Sequence, residues 1–198
     1  MAVCLGSFIV NNDAYCMTDF YGPGFPTSVM TAAAMQSTDR PIEFSAPPRL
    51  ESAVATRNQV AAPNVIYYLT IRLPDAAGVP LDRITVELTE GRRDPIFRYR
   101  LEATKAFEGT RQNRGADVPL GELSQDTERK SISIAFEPAI APGATMTVEL
   151  VPERNPRFSG TYLFAVTGYP YGEPAEAAFM GYARLSFYDS NDGFPVFP

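Results

Sequence analysis

The chain contains no histidine at all. That removes the usual general base near neutral pH and the commonest metal ligand. Ser-His-Asp and Cys-His catalysis are excluded with it. Lysine is nearly missing as well: of 17 basic residues, only Lys105 and Lys130 are lysine. Neither stands in an S-x-x-K setting, so a serine–lysine pair has no support. No G-x-x-x-x-G-K-[ST] loop or G-x-G-x-x-G turn is present to cradle phosphate. Cysteine is confined to Cys4 and Cys16. Without histidine they fall short of the four ligands of a structural zinc site. They are a disulfide candidate in an oxidising compartment, worth about 3 kcal/mol on the chain-entropy model. In a reducing one they are two small apolar residues. No apolar run reaches the roughly eighteen residues of a membrane-spanning helix. The opening MAVCLGSFIVNND has no Lys or Arg ahead of its apolar run, and so lacks the charged first part of a signal peptide.

What is present is ordinary for a folded chain of 198 residues: 45% hydrophobic and 20% charged. Eighteen prolines and fourteen glycines punctuate it, which is high for a helical protein. The net charge of −6 argues against nucleic acid or an acidic membrane surface as partner, because counterion release needs a basic face. The 23 acids leave paired-carboxylate hydrolysis formally open, but no spacing marks a pair. The expectation is therefore a protein that is not an enzyme and that uses no cofactor or metal.

Hydrophobic patterning divides the chain into three parts. Residues 1–41 show no sustained period and read as an irregular N-terminal arm. Residues 42–190 read as strand and turn. Residues 191–198 form an apolar, proline-rich tail. In the middle part, NVIYYLTIRL places Val65, Tyr67, Leu69 and Ile71 on one face. RITVELTE does the same for Ile84, Val86 and Leu88, KSISIAFEP for Ile132, Ile134 and Phe136, and ATMTVELVP for Met146, Val148 and Leu150. PIFRYRLE, GTYLFAVTGYP and AAFMGYARLSFYD complete seven or eight short alternating runs. This pattern predicts an all-β fold, an antiparallel β-sandwich of Ig-like or Greek-key type. Helical periodicity is confined to a turn or two around LEATKAFEG.

The positive charge is gathered in one place. Arg92, Arg93, Arg98, Arg100, Arg111 and Arg114 fall within 23 residues of one another. If PIFRYRL is a strand, Arg98 and Arg100 point away from Phe97, Tyr99 and Leu101, and the other four arginines lie on flanking loops. Such a patch fits a carboxylate, a sulfate, a phosphate or an acidic protein surface. The competing role is internal pairing with Glu87, Glu90, Glu102, Glu108 or Asp117, and the balance favours that role. A second group follows in VPERNPRFSGTYLFAVTGYPYGEP: Arg154 and Arg157 flank the Asn155-Pro156 turn signal, and Tyr162, Tyr169 and Tyr171 come soon after. Aromatics with polar tips suit glycan or protein contact, and core packing is their more frequent role. FYDSNDGF has oxygen ligands beside a glycine, but its glycine is one position early for a calcium loop, and it reads as a turn.

Several segments in order carry a family resemblance: APPRLESA, IYYLTIRLPDAAGVPLDRITVEL, KAFEGTRQNRG, ISIAFEPAIAPGATMTVELVPERNPRFSGTYLFAVTGYPYGE and GYARLSFYD. Together they resemble the domain-of-unknown-function 2808 family over about residues 43 to 189, through the P-P-R-L, F-x-G-T-R-x-N-R-G, N-P-R and G-x-Y-L-F motifs. Members occur mainly in cyanobacteria and are typically made with a signal peptide. The resemblance implies an extracytoplasmic location (thylakoid lumen, periplasm or cell surface), with a targeting segment removed before Met1. It implies no catalytic residues. The expected partners are other protein subunits, such as those of a photosynthetic membrane complex to which the chain is an accessory. The alternative expectation is a module that binds an anionic glycan or carboxylate at the arginine patch.

Overall fold

The computed structural model describes residues 40–91 and 98–189. Cys4, Cys16, Arg92, Arg93, the N-terminal arm and the tail lie outside the described residues, and the sandwich unit begins at Asp39. Among the described residues there are ten strands: β1 (Arg49–Ala55), β2 (Tyr67–Arg72), β3 (Leu81–Glu90), β4 (Lys105–Thr110), β5 (Asn113–Val118), β6 (Leu120–Asp126), β7 (Ser131–Ile140), β8 (Thr145–Leu150), β9 (Gly160–Pro170) and β10 (Ala178–Phe187). Sheet I has the order β1-β2-β8-β4-β5, and sheet II the order β10-β9-β3-β7-β6. Every pairing between named strands is antiparallel. The fold is thus the expected antiparallel β-sandwich, with ten strands where the alternation alone suggested seven or eight.

The core lies where period-2 alternation puts it. Tyr67, Leu69 and Ile71 of β2 and Met146, Val148 and Leu150 of β8 face inward from sheet I. Ile84 and Val86 of β3, Ile132, Ile134 and Phe136 of β7, and Tyr162, Phe164 and Val166 of β9 face inward from sheet II. All belong to one cluster, and each buried side chain of this size contributes about 1.5–3 kcal/mol. The sheets meet through aromatic rings: Tyr67 lies 6.3 Å from Phe164 and 5.9 Å from Phe187.

Three local readings change. Among the described residues of PIFRYRLE there is no strand: Tyr99 makes one isolated bridge to Pro152, and a 3-10 turn follows at Leu101–Ala103. The helical turn expected near LEATKAFEG shrinks to that single turn, and β4 starts at Lys105. Arg114, expected on a loop, stands on β5, while Arg111 occupies the two-residue connection between β4 and β5. The chain then passes from sheet I into sheet II through one residue, Pro119. β5 and β6 are edge strands with no fully buried residue, and β5 is exposed at every position but Val118.

Candidate functional site

The stretch KAFEGTRQNRG forms the β4–β5 hairpin. Ala106 joins the core, so alternation sends Phe107 to the outer face of sheet I, where it is nevertheless only 1% exposed. Its row continues through Thr147 to Thr70, both also buried. The cover comes from the hairpin itself. Pairing of β4 with β8 ends at Glu108, and the register of β4 against β5 shifts between Phe107 and Gly109. Gly109 has φ +85°, and a Cβ there would overlap the carbonyl oxygen of Asn113. At this bulge the chain turns back over the sheet. The Thr147 hydroxyl donates to the Gly109 carbonyl at 2.7 Å, so Thr70 must donate to Thr147 across their 3.0 Å contact.

Two arginines hold the hairpin down. Arg114 donates from Nη1 to Glu149 Oε1 and from Nη2 to Asp117 Oδ1, each at 2.9 Å, with its guanidinium 4.3 Å from the centre of the Phe107 ring. The hydrogen bond to Asp117, then the charge of Glu149, hold its pKa above the ordinary arginine value. Arg111 reaches back from the turn to lie 5.0 Å over the ring of Tyr68 on β2. It forms no ion pair with any described residue, and the same holds for Arg98, Arg100 and Arg154. Arg98, Arg154 and Arg157 are exposed. Arg100 is half-buried, and its Nε is sequestered without a hydrogen-bond partner. Arg114 therefore pairs with Glu149, Arg111 lies over Tyr68, the cross-strand neighbour of Glu149, and Arg100 lines a cleft with Glu149, while Arg154 and Arg157 stand on a separate loop.

That second loop is built around a residue whose role the N-P signal only half discloses. Asn155 is fully buried. Its Oδ1 accepts from the Tyr67 hydroxyl at 2.8 Å, and its Nδ2 donates to the carbonyls of Arg57 and Gln59 at 2.9 and 2.7 Å. Every side-chain atom that can bond is engaged, as a buried amide requires. Of the three tyrosines, Tyr162 is core, Tyr169 lies under the guanidinium of Arg83 at 4.5 Å, and Tyr171 is 62% exposed. Tyr171 borders a cleft of about 560 Å³ with Asp82, Glu122 and Glu137. Among the described residues, no group of His, Cys, Asp or Glu is placed to hold a metal ion.

The outer face of sheet II carries a feature that alternation could not single out. Phe179 and Tyr182 of β10 are 54% and 56% exposed and meet edge-to-face, 5.0 Å between ring centres. Their direct neighbours on β9 are Thr167 and Ala165, small and uncharged, and beyond these on β3 stand Thr85 and the exposed Glu87.

These observations define a ten-stranded antiparallel β-sandwich with an arginine-fastened hairpin over one sheet and exposed aromatics on the other. More narrowly, the chain belongs to the family described as "Protein of unknown function (DUF2808)", whose model matches residues 42–187. No functionally curated protein matches the sequence. Among solved structures, it is similar to a chain in the structure reporting manganese lipoxygenase of Gaeumannomyces graminis and a partial zonadhesin of Komagataella pastoris. There the identity is 14% and the TM-score 0.42, over 75% of this chain and 48%, about half, of that one. It is also similar to the RrgA Jo.In complex (14% identity, TM-score 0.41, 72% and 81% covered). A collagen-binding domain from a Staphylococcus aureus adhesin follows (8% identity, TM-score 0.34, 63% and 87% covered). At such identities nothing about ligand or partner passes to this chain. Among the described residues, no helix is long and apolar enough to cross a membrane.

Proposed function

We propose that this β-sandwich works by protein contact rather than by catalysis, and that the outer face of sheet II around Phe179 and Tyr182 is the contact surface. The exposed, mutually packed aromatic pair carries this reading. Large rings left in water beside small uncharged residues have the composition of an interface centre, which is rich in aromatics and poor in charge. Arg184 on the same strand and Glu87 two strands away provide a polar rim. The lack of histidine and of phosphate-binding loops supports the non-enzymatic half of the proposal.

The partner we infer is a subunit of a membrane complex on the extracytoplasmic side, in the finer version a photosynthetic one. Family resemblance supports the compartment and the kind of organism. The experiment is native electrophoresis of gently solubilised membranes with tagged chain, comparing the wild type with the Phe179→Ser/Tyr182→Ser double variant. Co-migration of the wild type with a large complex, lost in a variant of unchanged melting temperature, supports the proposal. Migration of the wild type as free monomer overturns it.

A further inference from the structure

The geometry points to a binding site for a single carboxylate group on a small apolar stem, at the end of sheet I where β2 begins, β8 ends and β4 begins. A cleft of about 440 Å³ lies there, lined by Asn64, Ile66, Arg100, Glu102, Ala103, Lys105, Glu149 and Val151. Arg100 and Lys105 are its cations, and neither has an ion-pair partner among the described residues. The Nε of Arg100 is sequestered from water and bonds to nothing. Closed to water, the Nε is closed to a ligand too, so the contact falls to the two terminal nitrogens, whose planar fork matches a carboxylate in two parallel bonds.

The surrounding charges select the ligand. Glu149 is already neutralised by Arg114, and its cross-strand neighbours are Lys105 on one side and Tyr68, beneath Arg111, on the other. With Glu149 paired to Arg114, the lining holds two cations without an ion pair among the described residues, Arg100 and Lys105, against one such carboxylate, Glu102. This leaves a small positive excess on a molecule whose net charge is −6. One negative charge is welcome there. A dianionic phosphate or sulfate would meet Glu102 and Glu149 at close range and be repelled. Ile66 and Val151 offer an apolar wall to the stem, and the Asn64 amide is the remaining polar group of the lining. The site is independent of the aromatic face, which lies on the opposite sheet, so either can fail alone.

The test is a titration of ¹⁵N-labelled protein with N-acetylvaline, its amide, propionate and inorganic phosphate, read from amide chemical shifts. Saturable shifts confined to the amides of Asn64, Ile66, Ala103, Lys105 and Val151 are expected with N-acetylvaline, and none with its amide. Saturation by propionate as well assigns the site to small free acids; saturation by N-acetylvaline alone assigns it to chain-terminal carboxylates. Lys105→Gln, a change at an exposed position, should weaken binding about tenfold, and Arg100→Met should abolish it. If Arg100→Met does not fold, the Lys105→Gln titration and the carboxylate-against-amide comparison still decide. Equal response to acid and amide, tighter binding of phosphate, or linear shifts scattered over the surface would each overturn the assignment.

Discussion

At the scale of single residues, the chain spends its polar side chains on fastening. Asn155 is the clearest case, because one amide holds Tyr67 and two carbonyls of the loop that precedes β2. Asn155→Ala strands all three partners and should cost about 3 kcal/mol, read as a lower urea midpoint and a melting temperature reduced by roughly 10 °C. Tyr67 itself supplies a second expectation. Burial, and then the neighbouring Tyr99 and Tyr162, push its phenol well above the ordinary 10.0, and burial pushes Tyr99 up as well. Above pH 10 the unfolded chain releases these protons while the folded one keeps them, so stability is full below that pH and falls as pH rises beyond it. Urea midpoints measured from pH 8 to 11 should decline above pH 10, and a Tyr67→Phe/Tyr99→Phe variant should decline less steeply. A flat wild-type profile would contradict the burial of these hydroxyls.

At the scale of elements, legibility followed burial. Strands β2, β3, β7, β8 and β9 were readable because one face of each is apolar at alternate positions and meets the other sheet. β5 and β6 were not, since neither has a fully buried position and both read like polar loops. The arginine cluster was visible as composition, but its division was not. Which arginine is consumed depends on a bulge at Gly109 that brings Arg114 onto Glu149, 35 residues away in sequence. Phe179 and Tyr182 looked like any other strand aromatics, because sequence alternation does not say which outer face stays uncovered. The bulge gives this scale its own test. Gly109→Ala places a side chain against the Asn113 carbonyl at a φ that only glycine adopts freely, and should cost about 1–3 kcal/mol. If the hairpin lies over the sheet as described, amide exchange should quicken at Phe107, Thr147 and Thr70 before it does in β3 or β9.

For the molecule as a whole, the two sheets have separate characters. Sheet I hides its outer face under its own hairpin and concentrates positive charge at one end; sheet II keeps an outer face of hydroxyls, alanines and aromatic rings bordered by Arg83, Glu87 and Arg184. The paired expectation is that Phe179→Ser/Tyr182→Ser removes complex association and leaves carboxylate binding intact, while Lys105→Gln weakens carboxylate binding about tenfold and leaves association intact.

The passage of β5 into β6 through Pro119 bears on how such a body can move. Elsewhere the connections between sheets are longer, and at the far margin the loop after β1 is bonded to the end of β10: the Tyr188 N–H donates to the Asn58 carbonyl at 2.8 Å, and the Tyr188 carbonyl accepts from the Val60 N–H at 3.0 Å. At Pro119 the tether is one residue with a fixed φ. The two layers cannot slide past each other along that margin. With the Asn58 side-chain amide also donating to the Ser186 carbonyl, the opposite margin is fastened too, so the sandwich is a book with a spine on one side and a clasp on the other.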